Sequence, residues 1–292
     1  MLSAPDIKFE PPQRKLYPFN ENTVALVAGD PYAQISICDE TARVLKLKPR
    51  LRTKEIADLY AEAFSAHRRQ LAEAKHLKPL GLDANSFMDR SQDFRSDLVS
   101  DLRLAMQREI LDAETIIAGR DDTGAHLFVV TDPGIVTCAD SVAFASIGTG
   151  KPHADSYFMM AHHTRNTHSH KVLLDTYIAK RRSEVSPTVG PTTDLFFIGN
   201  DGFREVADEI QQRLEAIREE LDRRIATAAD VATKDATAAI NEYVEETARS
   251  RQPPQVESVN SEVAPPIKQK RVRVAAKKKI NVQGAPDGGA GG

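Results

Sequence analysis

Apolar residues crowd together between Thr23 and Ala28 (TVALVA), and the run stops at Gly29-Asp30. Continuous apolarity over so short a stretch predicts a strand covered on both faces, because a half-exposed strand would alternate. The period then becomes helical. One helix is predicted from Tyr32 to Lys46, and a second from a Thr53 cap to about His76, with Ile56, Tyr60, Phe64, His67 and Leu71 at helical spacing. After a polar stretch containing Pro79, Gly81 and Asn85, a third helix places Phe94, Leu98, Leu102, Ala105 and Met106 on one face.

Strand signals follow. Glu114 to Arg120, Ala125 to Thr131, Ile135 to Ala139 and Val142 to Ile147 are separated by turn residues, among them Asp121-Asp122-Thr123-Gly124 and Asp132-Pro133-Gly134. They predict an antiparallel meander. Helices are predicted over 154–163 and 168–184, then a hairpin whose strands, 194–198 and 203–206, flank Asn200-Asp201-Gly202. The last element is a helix in which Val206, Ile210, Leu214, Ile217, Leu221 and Ile225 form one stripe, while Glu209/Arg213, Glu219/Arg223 and Glu220/Arg224 lie elsewhere at i,i+4. It continues to about Ala248 with Ile240 and Val244 in phase. Packing on the body is its expected role, with self-association as the alternative.

Composition and charge set boundaries. Of 292 residues, 41% are hydrophobic, enough for a substantial core. The net charge of −3 hides an asymmetry: residues 251–292 hold eight basic and three acidic residues, a net of +5, leaving −8 for residues 1–250. Proline pairs and a closing glycine-rich run predict a disordered tail over 251–292. Cys38 and Cys138 lie in apolar stretches and are too few for a disulfide framework, which predicts buried thiols in a reducing compartment, the cytoplasm. The first residues lack the basic and apolar regions of a leader, and no run reaches membrane-spanning length, so no membrane partner is expected.

Two ordered sets of residues carry a family resemblance. The first is Arg14-Lys15-Leu16-Tyr17, the strand ending Ala28-Gly29-Asp30, and the helix after it. The second is Ile116 to Asp121, His126-Leu127-Phe128, Asp132-Pro133-Gly134 and Ala145-Ser146-Ile147-Gly148-Thr149-Gly150-Lys151-Pro152. Together they resemble the β subunits of the proteasome and bacterial proteasome-like relatives in the N-terminal-nucleophile superfamily, over roughly residues 8–220 with an insertion near 76–110. The resemblance implies an α+β fold, a four-layer αββα sandwich, which agrees with the element order above. Residues 1–205 would form it, 206–250 a helical extension and 251–292 the tail.

Such a resemblance also implies assembly into rings or stacked rings, with a regulatory ATPase among the partners such rings take. Peptide or protein would be the substrate. Peptide bonds would be cut by an N-terminal threonine whose hydroxyl attacks while its own α-amine takes the proton. Lys15 matches the active-site lysine, whose charge lowers proton affinity nearby. Gly29 matches the glycine whose backbone N–H stabilises the oxyanion. Val27 falls at the primary specificity pocket, and Thr149 matches a serine near the nucleophile's amine. Ser183 and Ser186 are the candidates in the loop 182–190, although the family's Asp-x-x-Ser pattern is absent there.

The same matching puts Met1 after the family's first strand pair. The threonine and its acidic partner then have no equivalents, and the strand over 24–28 is expected to lack neighbouring strands. The leading expectation is therefore a threonine-type peptidase homologue that is inactive as written. The alternatives are a non-catalytic ring subunit, or an amidase acting on small amides if the N-terminus is restored.

Other signals carry less. His162, His163, His168 and His170 cluster between two predicted helices, but no Cys or acidic residue lies within the run, so no metal site and no cofactor are expected. The basic segment 268–279 lacks interleaved aromatics, so nucleic acid is not an expected partner. The terminal Gly291-Gly292 reads as a flexible end. Phosphate-binding glycine loops, zincin motifs and the Gly-x-Ser-x-Gly elbow are absent from the sequence, which sets those enzyme classes aside.

Overall fold

The computed structural model describes residues 2–4, 7–9 and 14–250. Strands β1 (Leu2–Ala4) and β2 (Ile7–Phe9) pair with each other at the start of the chain, a pair the residue pattern did not announce. A five-stranded antiparallel sheet follows in the order β3 (Leu16–Asn20), β4 (Thr23–Gly29), β5 (Ala113–Asp121), β6 (Gly124–Thr131) and β7 (Ile135–Cys138). β4 is the continuous apolar run, and it lies between β3 and β5. The neighbourless strand expected over 24–28 is thus corrected: the open edge falls on β3, whose Tyr17 and Phe19 pack on the core.

Helices α1 (Pro31–Leu45) and α2 (Thr53–His76) cover one face, where Ala25, Val27, Ile117, Phe128 and Val130 meet Ile37, Ile56, Tyr60 and Phe64. Val24 and Ile116 alternate to the other face and are buried as well. Leu26, Ala118, Leu127 and Val129 on that second face are only half-buried, so the two-sided cover expected for the apolar run is complete on the helix side and partial on the other. The architecture is α+β with an antiparallel sheet.

Local chemistry sets each helix start. At the β4–α1 junction Gly29 takes φ +104°, Asp30 Oδ1 accepts the Tyr32 N–H at 2.9 Å, and Pro31 occupies the first turn. At α2 the cap is not Thr53. Arg52 holds that position, the Glu55 carboxylate accepts the Arg52 N–H at 2.7 Å, and the Asp121 carboxylate accepts the Thr53 N–H at 3.0 Å. A residue distant in sequence has supplied the cap.

Between the helices and the sheet runs a buried polar network. Gln34 Nε2 donates to the Ala28 and Glu114 carbonyls at 3.0 and 3.2 Å, while Gln34 Oε1 accepts from the Tyr60 hydroxyl at 2.5 Å. Thr115 Oγ1 lies 2.8 Å from the Tyr60 hydroxyl and donates to Gln34 Oε1 at 3.1 Å. Gln34, Tyr60 and Thr115 are all shut off from solvent.

The insertion forms a satellite core. Leu77, Leu82, Phe87 and Val99 pack with Phe94, Leu102 and Met106 from α3 (Ala84–Asp89), α4 (Ser96–Arg108) and their connections. Leu98 is 43% exposed, so the buried stripe of α4 runs through Val99 instead. The expected strand over Val142–Ile147 does not form. The Asp140 carboxylate accepts the Leu127 N–H at 2.7 Å, and Val142 and Ala143 both donate to the Ala139 carbonyl, which turns the chain out of the sheet.

Helices α5 (Lys151–Met160) and α6 (Ser169–Ser183) follow, then the hairpin β8 (Phe196–Gly199) and β9 (Gly202–Glu205). Helix α7 spans Asp208–Ser250. The chain divides into two compact units, residues 1–229 and 230–292, and in the second the described part is the end of α7. In the first unit Leu214 of α7 is buried with Tyr177 and Leu195, while Ile217 and Ile225 stay about half exposed, so only part of the expected stripe is covered. Arg218, with Tyr177 and Arg181, holds the Glu215 carboxyl down at about 2 despite partial burial. The expected tail, 251–292, lies outside the described residues, as do its basic segment and terminal Gly-Gly. Among the described residues no helix is long and apolar enough to cross a membrane.

The buried network yields a stability prediction. Gln34→Leu roughly keeps the volume but removes the side-chain donor to the Ala28 and Glu114 carbonyls and the acceptor of the Tyr60 and Thr115 hydroxyls, at roughly 1–3 kcal/mol for each buried group left unpaired. Urea unfolding should show a loss of at least about 2 kcal/mol, and Tyr60→Phe a smaller loss. An unchanged midpoint in Gln34→Leu would show that the network does not brace the sheet.

Candidate functional site

Four of the expected site residues sit where the C-terminal end of β4 meets the loop before α5. The antiparallel pairing of β3 and β4, with Leu16 opposite Leu26, continues one step further through the Val27 N–H, which donates to the Lys15 carbonyl at 3.0 Å. Lys15 therefore lies across from Val27, two residues before Gly29. The Lys15 side chain is exposed, whereas Val27 is buried in the core beneath.

Gly29 is required by shape as well as by its dihedral angle. A Cβ at this position would come within 2.2 Å of the Asp112 carbonyl oxygen, and that oxygen accepts the Asp30 N–H at 2.6 Å. The backbone of β5 thus presses directly on β4 here, which only glycine admits. The Gly29 peptide is held by strands on one side and by the start of α1 on the other.

The second group reaches this place through Glu114. Its backbone carbonyl accepts from Gln34, and its carboxylate accepts the Gly148 N–H at 2.7 Å. Gly148, at φ +76°, is so close to β4 that a Cβ there would stand 3.2 Å from the Ala28 Cβ. Thr149 follows, exposed, with its hydroxyl hydrogen-bonded to that of Thr188. Ser186 Oγ lies 3.4 Å from the same Thr188 hydroxyl. A row of three hydroxyls results.

Ser183 has a different place. It is buried, its hydroxyl donates to the Lys180 carbonyl at 2.6 Å, and its Cβ would be 2.7 Å from a Cβ on Gly150. It backs the loop and does not join the hydroxyl row. Lys180 also binds the Gly190 carbonyl at 2.7 Å, and Arg181 the Pro191 carbonyl at 3.2 Å, so the 184–191 loop is tied to α6 at its far end.

Three residues here were missed by reasoning from sequence. Glu114 carried a signal, since a carboxylate in the largely apolar strand Ala113 to Ala118 needs a partner. Gln34 and Thr188 carried none, because nothing local marks a helix glutamine or a loop threonine as reaching across the fold.

The histidine cluster is not a single site. His163 is buried with Asp175 at 3.0 Å, and Lys171 donates to the same carboxylate at 2.6 Å. His168 and His170 stack on each other at the start of α6. Among the described residues no three His, Cys, Asp or Glu side chains converge in a manner that would hold a metal ion. Cys38 is buried as expected, while Cys138 is exposed at the sheet edge, contrary to the expectation for its apolar surroundings.

The chain matches no protein-family model and no curated protein. The site consists of a glycine peptide at a strand end, a lysine just before the neighbouring strand and a hydroxyl row on an adjoining loop.

Gly29→Ala should be strongly destabilising. The left-handed φ costs a non-glycine residue roughly 1–3 kcal/mol, before the contact with Asp112 is relieved. Thermal unfolding should show a fall of several degrees, and Gly81→Ala, at a φ of +70° with open space around it, a smaller one. Equal effects at the two positions would mean that the close approach of β5 is absent.

Proposed function

We propose that this chain is a proteasome-like, threonine-type peptidase homologue of the four-layer αββα type, working on peptide bonds within an oligomeric ring. The observation that carries the reading is the Glu114–Gly148 contact. Held by this contact, Gly148 of the second set of resembling residues lies against Ala28 of the first, and Thr149 stands beside the strand end that carries Gly29.

In this reading a substrate strand lies against the end of β4, with its carbonyl facing the Gly29 peptide. A hydroxyl nucleophile adds to that carbonyl, its proton passes to an amine, and the oxyanion is stabilised by the Gly29 N–H. Lys15, just before the neighbouring strand, supplies positive charge that favours the deprotonated nucleophile. Thr149 with Thr188 and Ser186 orients the amine. Collapse of the tetrahedral intermediate expels the leaving amine with that proton, and water then releases the acyl group. Among the described residues no side chain is assigned to the nucleophile, a role that in this reading belongs to an N-terminal threonine. The exposed position of Lys15 and the commitment of the Ser183 hydroxyl to α6 favour a second reading, a ring subunit that keeps the fold without the chemistry.

The test compares the chain from Met1 with a form carrying any in-frame residues encoded before it. The longer form should assemble into a ring by native mass spectrometry and cleave fluorogenic peptides, and Lys15→Ala should lower turnover by roughly 10²-fold or more. Undiminished turnover in Lys15→Ala would remove the lysine from the site. A ring with no turnover of peptides or small amides would establish the non-catalytic subunit.

A further inference from the structure

The opposite end of the sheet carries a second feature. β4 runs seven residues from Thr23 to Gly29, so its start lies roughly 20 Å from the site above. There the β3–β4 turn, the connection between α1 and α2 and the β5–β6 turn enclose a cleft of about 590 Å³. Arg50, Arg52 and Arg120 line it together with Glu21, Asp121 and Asp122. Three charges of each sign make it neutral in sum, but their commitments differ.

Arg52 is paired with Asp122 at 2.8 Å. Asp121 accepts from the Thr53 amide and from the amide and hydroxyl of Thr123, with His126 3.3 Å away. Burial alone would raise its carboxyl, and these donors outweigh burial and hold it well below the usual range. Among the described residues, the guanidinium groups of Arg50 and Arg120 have neither a hydrogen bond nor an ion pair. Two uncommitted guanidinium groups and a single uncommitted carboxylate, Glu21, therefore line the cleft.

Both arginines stand on fixed backbone. Arg120 lies on β5, opposite Ala125, and its N–H donates to the Asn22 carbonyl at 2.9 Å. Arg50 is followed by Leu51, which packs on the main core. The start of α2 does not supply the attraction, because its first amides are taken by Glu55 and Asp121. The Thr53 hydroxyl does not supply it either, because it is buried against Gly119 and closed to the cleft.

We propose that Arg50 and Arg120 form a binding site for a small oxyanion group, phosphate or carboxylate, at this end of the sheet. Planar guanidinium groups match the paired oxygens of both, and charge-assisted hydrogen bonds of this kind are about twice as strong as neutral ones. The site is independent of the peptidase reading and stands or falls without it.

The test is titration of the full chain with sodium phosphate and, separately, sodium acetate, followed by amide NMR at an ionic strength held constant with sodium chloride. Saturable shifts should centre on residues 20–22, 50–53 and 120–122. Saturation by phosphate alone assigns a phosphoryl ligand, and by acetate alone a carboxylate. The double variant Arg50→Gln/Arg120→Gln should weaken binding by about tenfold or more with an unchanged unfolding midpoint, while Arg103→Gln should bind as the parent does. If the double variant loses its fold, each single variant should show a partial loss of affinity. Shifts that grow linearly with both salts, or variants that bind as the parent does, would overturn the proposal.

Discussion

One buried carboxamide ties the fold together. Gln34, on α1, holds the Ala28 and Glu114 carbonyls on two adjacent strands and accepts from Tyr60 on α2. Two strands and two helices thus meet at a single side chain in the core. Buried polar groups hold a unique arrangement only when every member is satisfied, since a lone unsatisfied group costs more than the bond contributes. Here the donors and acceptors close on one another, with Thr115 completing the set. Burial also keeps the network uncharged. It pushes the Cys38 thiol up to about 12 and raises the Tyr60 hydroxyl further still, so neither ionises near neutrality.

From this point the candidate site is built outward. Gln34 fixes the last residues of β4, the close approach of β5 requires glycine at position 29, and the Glu114 carboxylate extends the same brace to Gly148. Thr149 is placed by its neighbours on both sides: Glu114 holds Gly148, and Ser183 allows Gly150 no side chain. The exposed hydroxyl row therefore stands on a rigid base. That is the arrangement a site needs when its groups must meet a substrate in fixed geometry.

Much of this was legible in the residues. The apolar run over 23–28, the glycine and aspartate after it, the helical spacing around Tyr60 and the turn residues of the meander all express local rules, and the corresponding elements form. The failures come from contacts distant in sequence. Asp121 took over the cap that Thr53 was expected to form, and Asp140 turned the chain out of the sheet before a further strand could start. Of the site, the backbone positions 27 and 29 and the loop at 148–150 could be read from the sequence. The side chains that join them, Gln34, Glu114 and Thr188, acquire meaning only when the chain is folded. The cleft with Arg50 and Arg120 belongs to the same class, since 70 residues separate two side chains that line it.

The loop before α5 is clamped onto the end of β4 through Glu114. Native-state hydrogen exchange at the Gly148 amide measures this directly. Exchange should be slow in the parent chain and much faster in Glu114→Ala, while the amide of Ile117, in the middle of β5, stays protected in both. A Gly148 amide that exchanges at the rate of an open loop in the parent, or that is indifferent to Glu114→Ala, would contradict this clamp.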